Sequence, residues 1–196
     1  MATNKKDYRK LIEEYEPTCE QEAVDKKGIL AFIDRNPDVL DRTNLVAHLT
    51  VSAIVVNEKM DKVLFAFHNI YKSWAWVGGH NDGNPDMLEM ALTETKEETG
   101  LKKVCSYSDD IFMLDTILVY NHIKRGKYVS DHLHLNATFL LIADENDQVE
   151  SKPDENSGVR WFPISEVLNH VSEPRMKAVY MKAFSKIEII RQSVKK

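Results

Sequence analysis

Apolar and polar positions follow two different periods along this chain, and the period changes near residue 45. Before that point Tyr8, Leu11, Ile12 and Tyr15 recur at helical spacing ahead of Pro17. Ala23, Val24, Ile29, Leu30 and Ile33 do the same ahead of Asn36-Pro37. The pattern predicts a helical extension over residues 1–44, docked on the main domain. From Leu45 the spacing shortens: Leu49, Val51, Ala53 and Val55 alternate with Thr50, Ser52, Ile54 and Val56, which predicts a strand. A turn at Asn57–Asp61 leads into a second strand, Lys62–His68, so the two form a hairpin. Trp74-Ala-Trp-Val reads as a short third strand ending at Gly78-Gly79.

A long strand pair follows, Ile111–Lys124 and Tyr128–Ala143, joined by a turn at Arg125-Gly126. In its second member His132, His134, Asn136 and Thr138 share one face, and Leu133, Leu135, Ala137 and Phe139 the other. Residues 144–158 are rich in Asp, Glu, Asn and Ser and read as a surface loop, after which Val159-Arg-Trp-Phe-Pro returns as a strand. The chain closes on an amphipathic helix, with Ser172 as its cap and Pro174 in its first turn. Met176, Val179, Tyr180, Ala183, Phe184, Ile187 and Ile190 form its buried stripe, and Lys195 and Lys196 complement its C-terminal dipole. The elements add up to an α/β fold, a mixed sheet with helices packed on it around one core.

Composition narrows the function classes. With 196 residues, 43% hydrophobic and 29% charged, the chain is neither mainly disordered nor large enough to expect two domains. Its net charge of −5 supplies no global field for nucleic acid or an anionic membrane, so an anionic ligand needs a local device such as a bound cation. No apolar run approaches a membrane span, and the first residues lack the apolar core of a secretory signal. Cys19 and Cys105 are too few for a disulfide framework and too isolated for a structural zinc site, so a cytoplasmic setting is expected.

The stretch from Gly78 to Leu101 carries the chemistry. Asp86 followed by Glu89 has the spacing of a capping box, and Gly100 is a natural stop, so the helix between has marked ends. Met87, Leu88, Ala91, Leu92 and Thr95 spread over its apolar face. Glu94, Glu97 and Glu98 fall at i, i+3 and i+4, within an arc of about 100° that flanks the apolar face. A merely solvated acidic face is disfavoured here. These acids stand in the last turns, where the helix dipole costs each roughly 0.3–1 kcal/mol and like charges repel. A divalent cation removes both penalties, and clustered carboxylate oxygens suit a hard ion, Mg2+ or Mn2+. Gly78-Gly79 leaves the backbone open to close approach, so that a carbonyl can complete the metal shell.

The same stretch resembles the Nudix hydrolases. Their motif runs Gly, five residues, Glu, seven residues, Arg-Glu, an apolar residue, any residue, Glu-Glu, any residue, Gly and an apolar residue. Gly79, Glu94, Glu97, Glu98, Gly100 and Leu101 match it in register. The Val46–Asn57 strand, Trp76 and Val159-Arg-Trp-Phe-Pro also look like this family, and the resemblance covers roughly residues 45–170. The departures are Pro85 at the motif's first Glu, Thr93 at its Arg and Thr95 at its apolar position. The stretch Gly-Gly-His-Asn-Asp-Gly resembles a subgroup with Gly-Gly-His-x-Asp-Gly.

The resemblance implies a Nudix-like α/β/α sandwich over residues 45–170, with helix 171–196 packed on it. It implies Mg2+-dependent cleavage of a diphosphate linkage in a nucleoside diphosphate derivative. Glu94, Glu97 and Glu98 would be metal ligands, assisted by the Gly79 carbonyl, and one of these glutamates or the loop acid Glu155 would be the general base. Thr93 keeps open an alternative, a nucleotide-binding module of the same fold that does not cleave. An isopentenyl diphosphate isomerase is disfavoured: His48 and His80 faintly resemble its metal-binding histidines, but Gly78 stands where its catalytic Cys is needed. For substrate contacts the candidates are His80 on phosphate, Tyr71 and Trp74 against a nucleobase, and the polar face carrying His132 and His134. That face could also hold a transition metal, although a cleft lining is preferred. Many relatives are homodimers, and the terminal helices could serve such an interface.

Overall fold

A computed structural model describes residues 7–124 and 126–194, with the side chain of residue 194 left aside. Arg125 of the anticipated turn, and Lys195 and Lys196 of the anticipated helix end, lie outside the described residues. The chain forms two compact units, each assembled from three stretches of sequence. The first is Met1–Ser52, Gly78–Ala91 and Ser108–Phe139, and the second is Ala53–Val77, Leu92–Tyr107 and Leu140–Lys196.

The first unit opens with α1 (Tyr8–Glu14) and α2 (Glu20–Ile33). Asp7 caps α1 by accepting the Arg9 N–H at 3.0 Å. Glu22 of α2 is buried, and its carboxylate accepts the Thr18 N–H and hydroxyl at 2.8 and 2.9 Å. Then come β1 (Ala47–Val56), β4 (Val77–His80), β6 (Met113–Val119) and β9 (His132–Ile142). Of these, β1, β4 and β9 run from one unit into the other. β6 pairs antiparallel with β9, from Met113 opposite Thr138 to Val119 opposite His132. α2 is tied to β6 by Asp25, which accepts the Thr116 N–H at 2.9 Å.

β1 and β9 are parallel: Leu133 N–H donates to the Val46 carbonyl, and ten residues on in both strands Ala143 donates to Val56. All ten residues of β1 are buried. A parallel strand covered on both faces is normally apolar throughout, yet β1 carries His48, Thr50 and Ser52 on one side. Those polar groups need partners, and the site below supplies some of them.

In the second unit β2 (Lys62–His68) pairs antiparallel with β1 at Val55–Leu64, with β10 (Asn156–Pro163), and with β3 (Ser73–Ala75) at Ala66–Ala75. The third strand expected at residues 74–77 is therefore two strands. β3 pairs β2 and β4 pairs β1, so the chain changes partner at Trp76. β5 (Cys105–Ser106) pairs β9 at Ile142 and Leu141. The hydrogen-bonded order is β10-β2-β1-β9-β5. With antiparallel and parallel pairs together the sheet is mixed, with helices beside it.

The long strand pair is also interrupted. β7 (His122–Lys124) and β8 (Lys127–Val129) form a separate ribbon. Asp131 accepts the Asn121 N–H at 2.5 Å and side-chain amide at 3.2 Å, replacing ladder bonds at the break. β10 begins three residues earlier than expected, through a register shift between Asn156 and Val159.

α4 (Pro174–Val194) buries Tyr180, Ala183, Phe184 and Ile187. Phe184 and Ile187 contribute roughly 1.5–3 kcal/mol each on burial. Tyr180 meets Phe65 and Trp76 edge-on, with ring centroids 4.9 and 5.4 Å apart. The Ser172 hydroxyl donates to the Lys72 carbonyl at 3.1 Å and joins the helix entry to the β2–β3 turn. Among the described residues no helix is long and apolar enough to cross a membrane.

Candidate functional site

The carboxylates are set by α3 (Met87–Thr99) and the loop before β10. At its start Asp86 accepts the Glu89 N–H at 2.9 Å, the capping contact anticipated from spacing. At its end Gly100 holds φ +70°, and a Cβ there would lie 2.8 Å from the Glu150 side chain. The chain can therefore leave the helix only through a glycine. Along the later turns Thr95, Glu98 and Thr99 are buried, while Thr93, Lys96 and Glu97 are exposed.

Glu155 reaches this helix by backbone pinning. Its N–H donates to the Lys152 carbonyl at 2.9 Å, and its own carbonyl accepts the Asn69 N–H at 2.9 Å. The neighbouring Asn156 side chain donates to the Glu98 carbonyl at 2.9 Å. As a result, carboxylate oxygens of Glu94, Glu98 and Glu155 lie within 4.8 Å of one another, with Glu98 buried. Three acids gathered with one of them buried form an all-oxygen donor set, which fits Mg2+ or Mn2+ rather than a soft metal.

Glu97 is exposed and is not one of these three gathered acids. It accepts from Lys152 Nζ at 3.0 Å, and the same ammonium stands 3.4 Å from Glu155. Burial alone would lower the Lys152 pKa, but the hydrogen bond to Glu97 and the charge of Glu155 outweigh it and raise it. Lys152 thus supplies a cation among the glutamates of a helix that has Thr93 at the motif's Arg position.

A second cluster lies in the first unit. Ring nitrogens of His48 (β1), His80 (β4) and His134 (β9) fall within 4.8 Å of one another. His132 Nε2 is 3.2 Å from His134 Nε2. Burial lowers the pKa of all three of His48, His80 and His134, with that of His80 pushed down to about 3, so these rings are neutral near pH 7. The polar row continues below them. Asn136 accepts from the Thr50 and Ser52 hydroxyls at 3.0 and 2.9 Å, and its amide donates to Thr138 at 3.0 Å. Gly78 makes room for β4: a Cβ there would stand 2.3 Å from the Val51 carbonyl oxygen and 2.7 Å from Ser52 Cα.

The other sequence candidates fall in several places. Gly79 lies in β4. His80 is a member of the imidazole cluster, and His132 and His134 are buried or half-buried rather than on an open face. Trp74 is held edge-on by Phe67 and Phe162, with the Arg160 guanidinium 5.7 Å from its ring. Tyr71 stays exposed, against His68 at 4.5 Å. Sequence reasoning missed Lys152 and did not join His48 to the strand histidines. For His48 a signal existed, since extending the β1 alternation back by one puts it on the face of Thr50 and Ser52.

Comparison with known proteins adds a family. The NUDIX domain family matches residues 46–183. Among solved structures the chain is similar to a NUDIX-family hydrolase from Clostridium perfringens, with 21% identity and a TM-score of 0.53, covering 73% of this chain and 97% of that one. It is similar to an Ap4A hydrolase from C. elegans, with 16% identity and a TM-score of 0.52, covering 74% and 98%. It is also similar to the E. coli dihydroneopterin triphosphate pyrophosphohydrolase, with 12% identity and a TM-score of 0.51, covering 74% and 95%. No curated protein matches the sequence.

Proposed function

The chain belongs to the Nudix family, as a Nudix-type hydrolase, and from that premise we propose that it uses Mg2+ or Mn2+ to hydrolyse a diphosphate linkage in a nucleoside diphosphate derivative. The observation that carries this reading is the gathering of Glu94, Glu98 and Glu155 within 4.8 Å on a pinned helix end and loop. These residues would hold the ion. A bound dication would neutralise the phosphate oxygens and lower the pKa of the attacking water. One carboxylate of the group removes the water's proton. Lys152 orients Glu97 and Glu155 and draws the anionic substrate toward the helix end. Tyr71 offers the exposed ring for a nucleobase, a part that the packed Trp74 ring is less free to take.

The test is a panel of nucleoside diphosphate derivatives incubated with Mg2+ or Mn2+, run beside Glu98→Gln. The parent releases phosphate-bearing products, and the variant loses about 100-fold or more in kcat/KM, since even outer partners of a metal site are worth 10–100-fold. Equal rates in the two proteins would remove the carboxylate group from the mechanism. Exposed Thr93 favours one second reading, a binding module without turnover. Tight nucleotide binding by calorimetry, with no hydrolysis even after Thr93→Arg, would select it.

A further inference from the structure

We propose that His48, His80 and His134, together with His132, bind a transition-metal dication of the Zn2+ class. The site shares no ligand with the carboxylate group. Its donors come from three strands, β1, β4 and β9, and are assembled only by folding.

The hydrogen bonds determine which nitrogens carry protons. His48 Nδ1 lies 3.0 Å from the Asn44 carbonyl. A carbonyl only accepts, so Nδ1 holds the hydrogen and Nε2 presents a bare lone pair. That Nε2 is buried and has no hydrogen-bond partner among the described residues. His132 is anchored in the same way, Nδ1 donating to the Ser130 carbonyl at 2.8 Å, and its Nε2 shares a 3.2 Å hydrogen bond with His134 Nε2, whose hydrogen a bound ion would displace. A ring whose far N–H is anchored on a carbonyl, with the other nitrogen aimed inward, is the usual outer support of a metal-bound histidine. A buried histidine with a purely packing role would have its second nitrogen satisfied by the protein.

Distances and charge agree. Nitrogens around a four-coordinate ion at ~2.0–2.1 Å stand about 3.4 Å apart. The His132–His134 pair is already at 3.2 Å, and the His48, His80 and His134 nitrogens need to close in from at most 4.8 Å. Neutral imidazoles suit Zn2+, Cu2+, Ni2+ or Fe2+ and discriminate against Mg2+. Two cations act on these rings, Arg42 and Lys124; Arg42 is paired with Asp82, its Nε donating at 2.6 Å. The rings are also in register with the Asn136 network, which holds β1 beside β9.

Full-length, untagged protein is stripped with chelator and titrated with Co2+ and with Zn2+. One Co2+ per chain is expected to produce the visible absorption of a four-coordinate nitrogen-ligated ion, to be displaced by Zn2+, and to persist in excess Mg2+. His48→Ala and His134→Ala, checked by circular dichroism, weaken Zn2+ binding by at least ~100-fold. Should either variant fail to fold, imidazole nitrogen spectra of the parent decide, because Zn2+ must shift the His48 and His134 ring resonances. Absence of the Co2+ band, unshifted rings, or equal Zn2+ affinity in parent and folded variants overturns the proposal. Glu98→Gln retains the Co2+ signal, so failure of this site and failure of the hydrolase reading are separable.

Discussion

The molecule contains two clusters of metal-capable side chains that were built by opposite routes. The carboxylates sit on one helix and one loop of the second unit, close in sequence for Glu94 and Glu98, and they keep an ammonium, Lys152, as neighbour. The imidazoles come from three strands of the first unit, separated by up to 86 residues, and burial holds His48, His80 and His134 neutral. The difference shows how local and non-local assembly select different chemistry. A helix edge can gather charges where part of the group is open to water and a counter-cation stands beside it. A buried strand face cannot, and it gathers neutral donors whose remaining protons are satisfied by backbone carbonyls.

This contrast can be broken from either side. The largest effect is expected from Gly78→Ala, because the added Cβ meets backbone atoms of β1 at 2.3 and 2.7 Å, and backbone cannot swing aside as a side chain can. We expect a loss of ~3 kcal/mol or more in chemical denaturation; a stability within 1 kcal/mol of the parent would show that β4 is not wedged against β1 as described. Next, Glu98→Gln should lower hydrolysis by about 100-fold, or ~2.7 kcal/mol in activation free energy, while leaving Co2+ absorption in place. Loss of both signals together would mean that the clusters are not independent.

Asn136→Ala tests the floor of the imidazole cluster. It leaves the Thr50 and Ser52 hydroxyls without their acceptor inside the sheet, at a cost of about 1–3 kcal/mol in unfolding free energy. Unchanged stability would mean the hydroxyls find other partners. The smallest effect belongs to Lys152→Ala. Its ion pairs are partly solvated, so the melting temperature should fall by only about 1–2 °C. The same variant should raise KM for an anionic substrate more than it lowers kcat, and a pure kcat defect would contradict a role in drawing substrate in.

Much of the carboxylate region was legible because its information is local. Asp86, Gly100 and the spacing of Glu94, Glu97 and Glu98 mark a helix and its acidic edge without knowledge of the rest of the chain. The spacing alone did not distinguish Glu97 from its neighbours. The helix period places all three on one arc, whereas in the structure Glu155 of the loop gathers with Glu94 and Glu98, and Lys152 of the same loop bonds Glu97. The interrupted strands were equally hidden, since a change of pairing partner at Trp76 leaves no mark on alternation.

By itself, then, the order of residues determined most element types, the Nudix-like motif and the acidic edge of the helix, since each depends on neighbours a few positions apart. The meeting of His48, His80, His132 and His134, the buried polar row on β1, and the pairing of Lys152 with the glutamates were decided by tertiary structure alone. The physical reason is that a strand's side-chain period tells which face a residue takes, whereas which other strands share that face depends on register and order across the sheet.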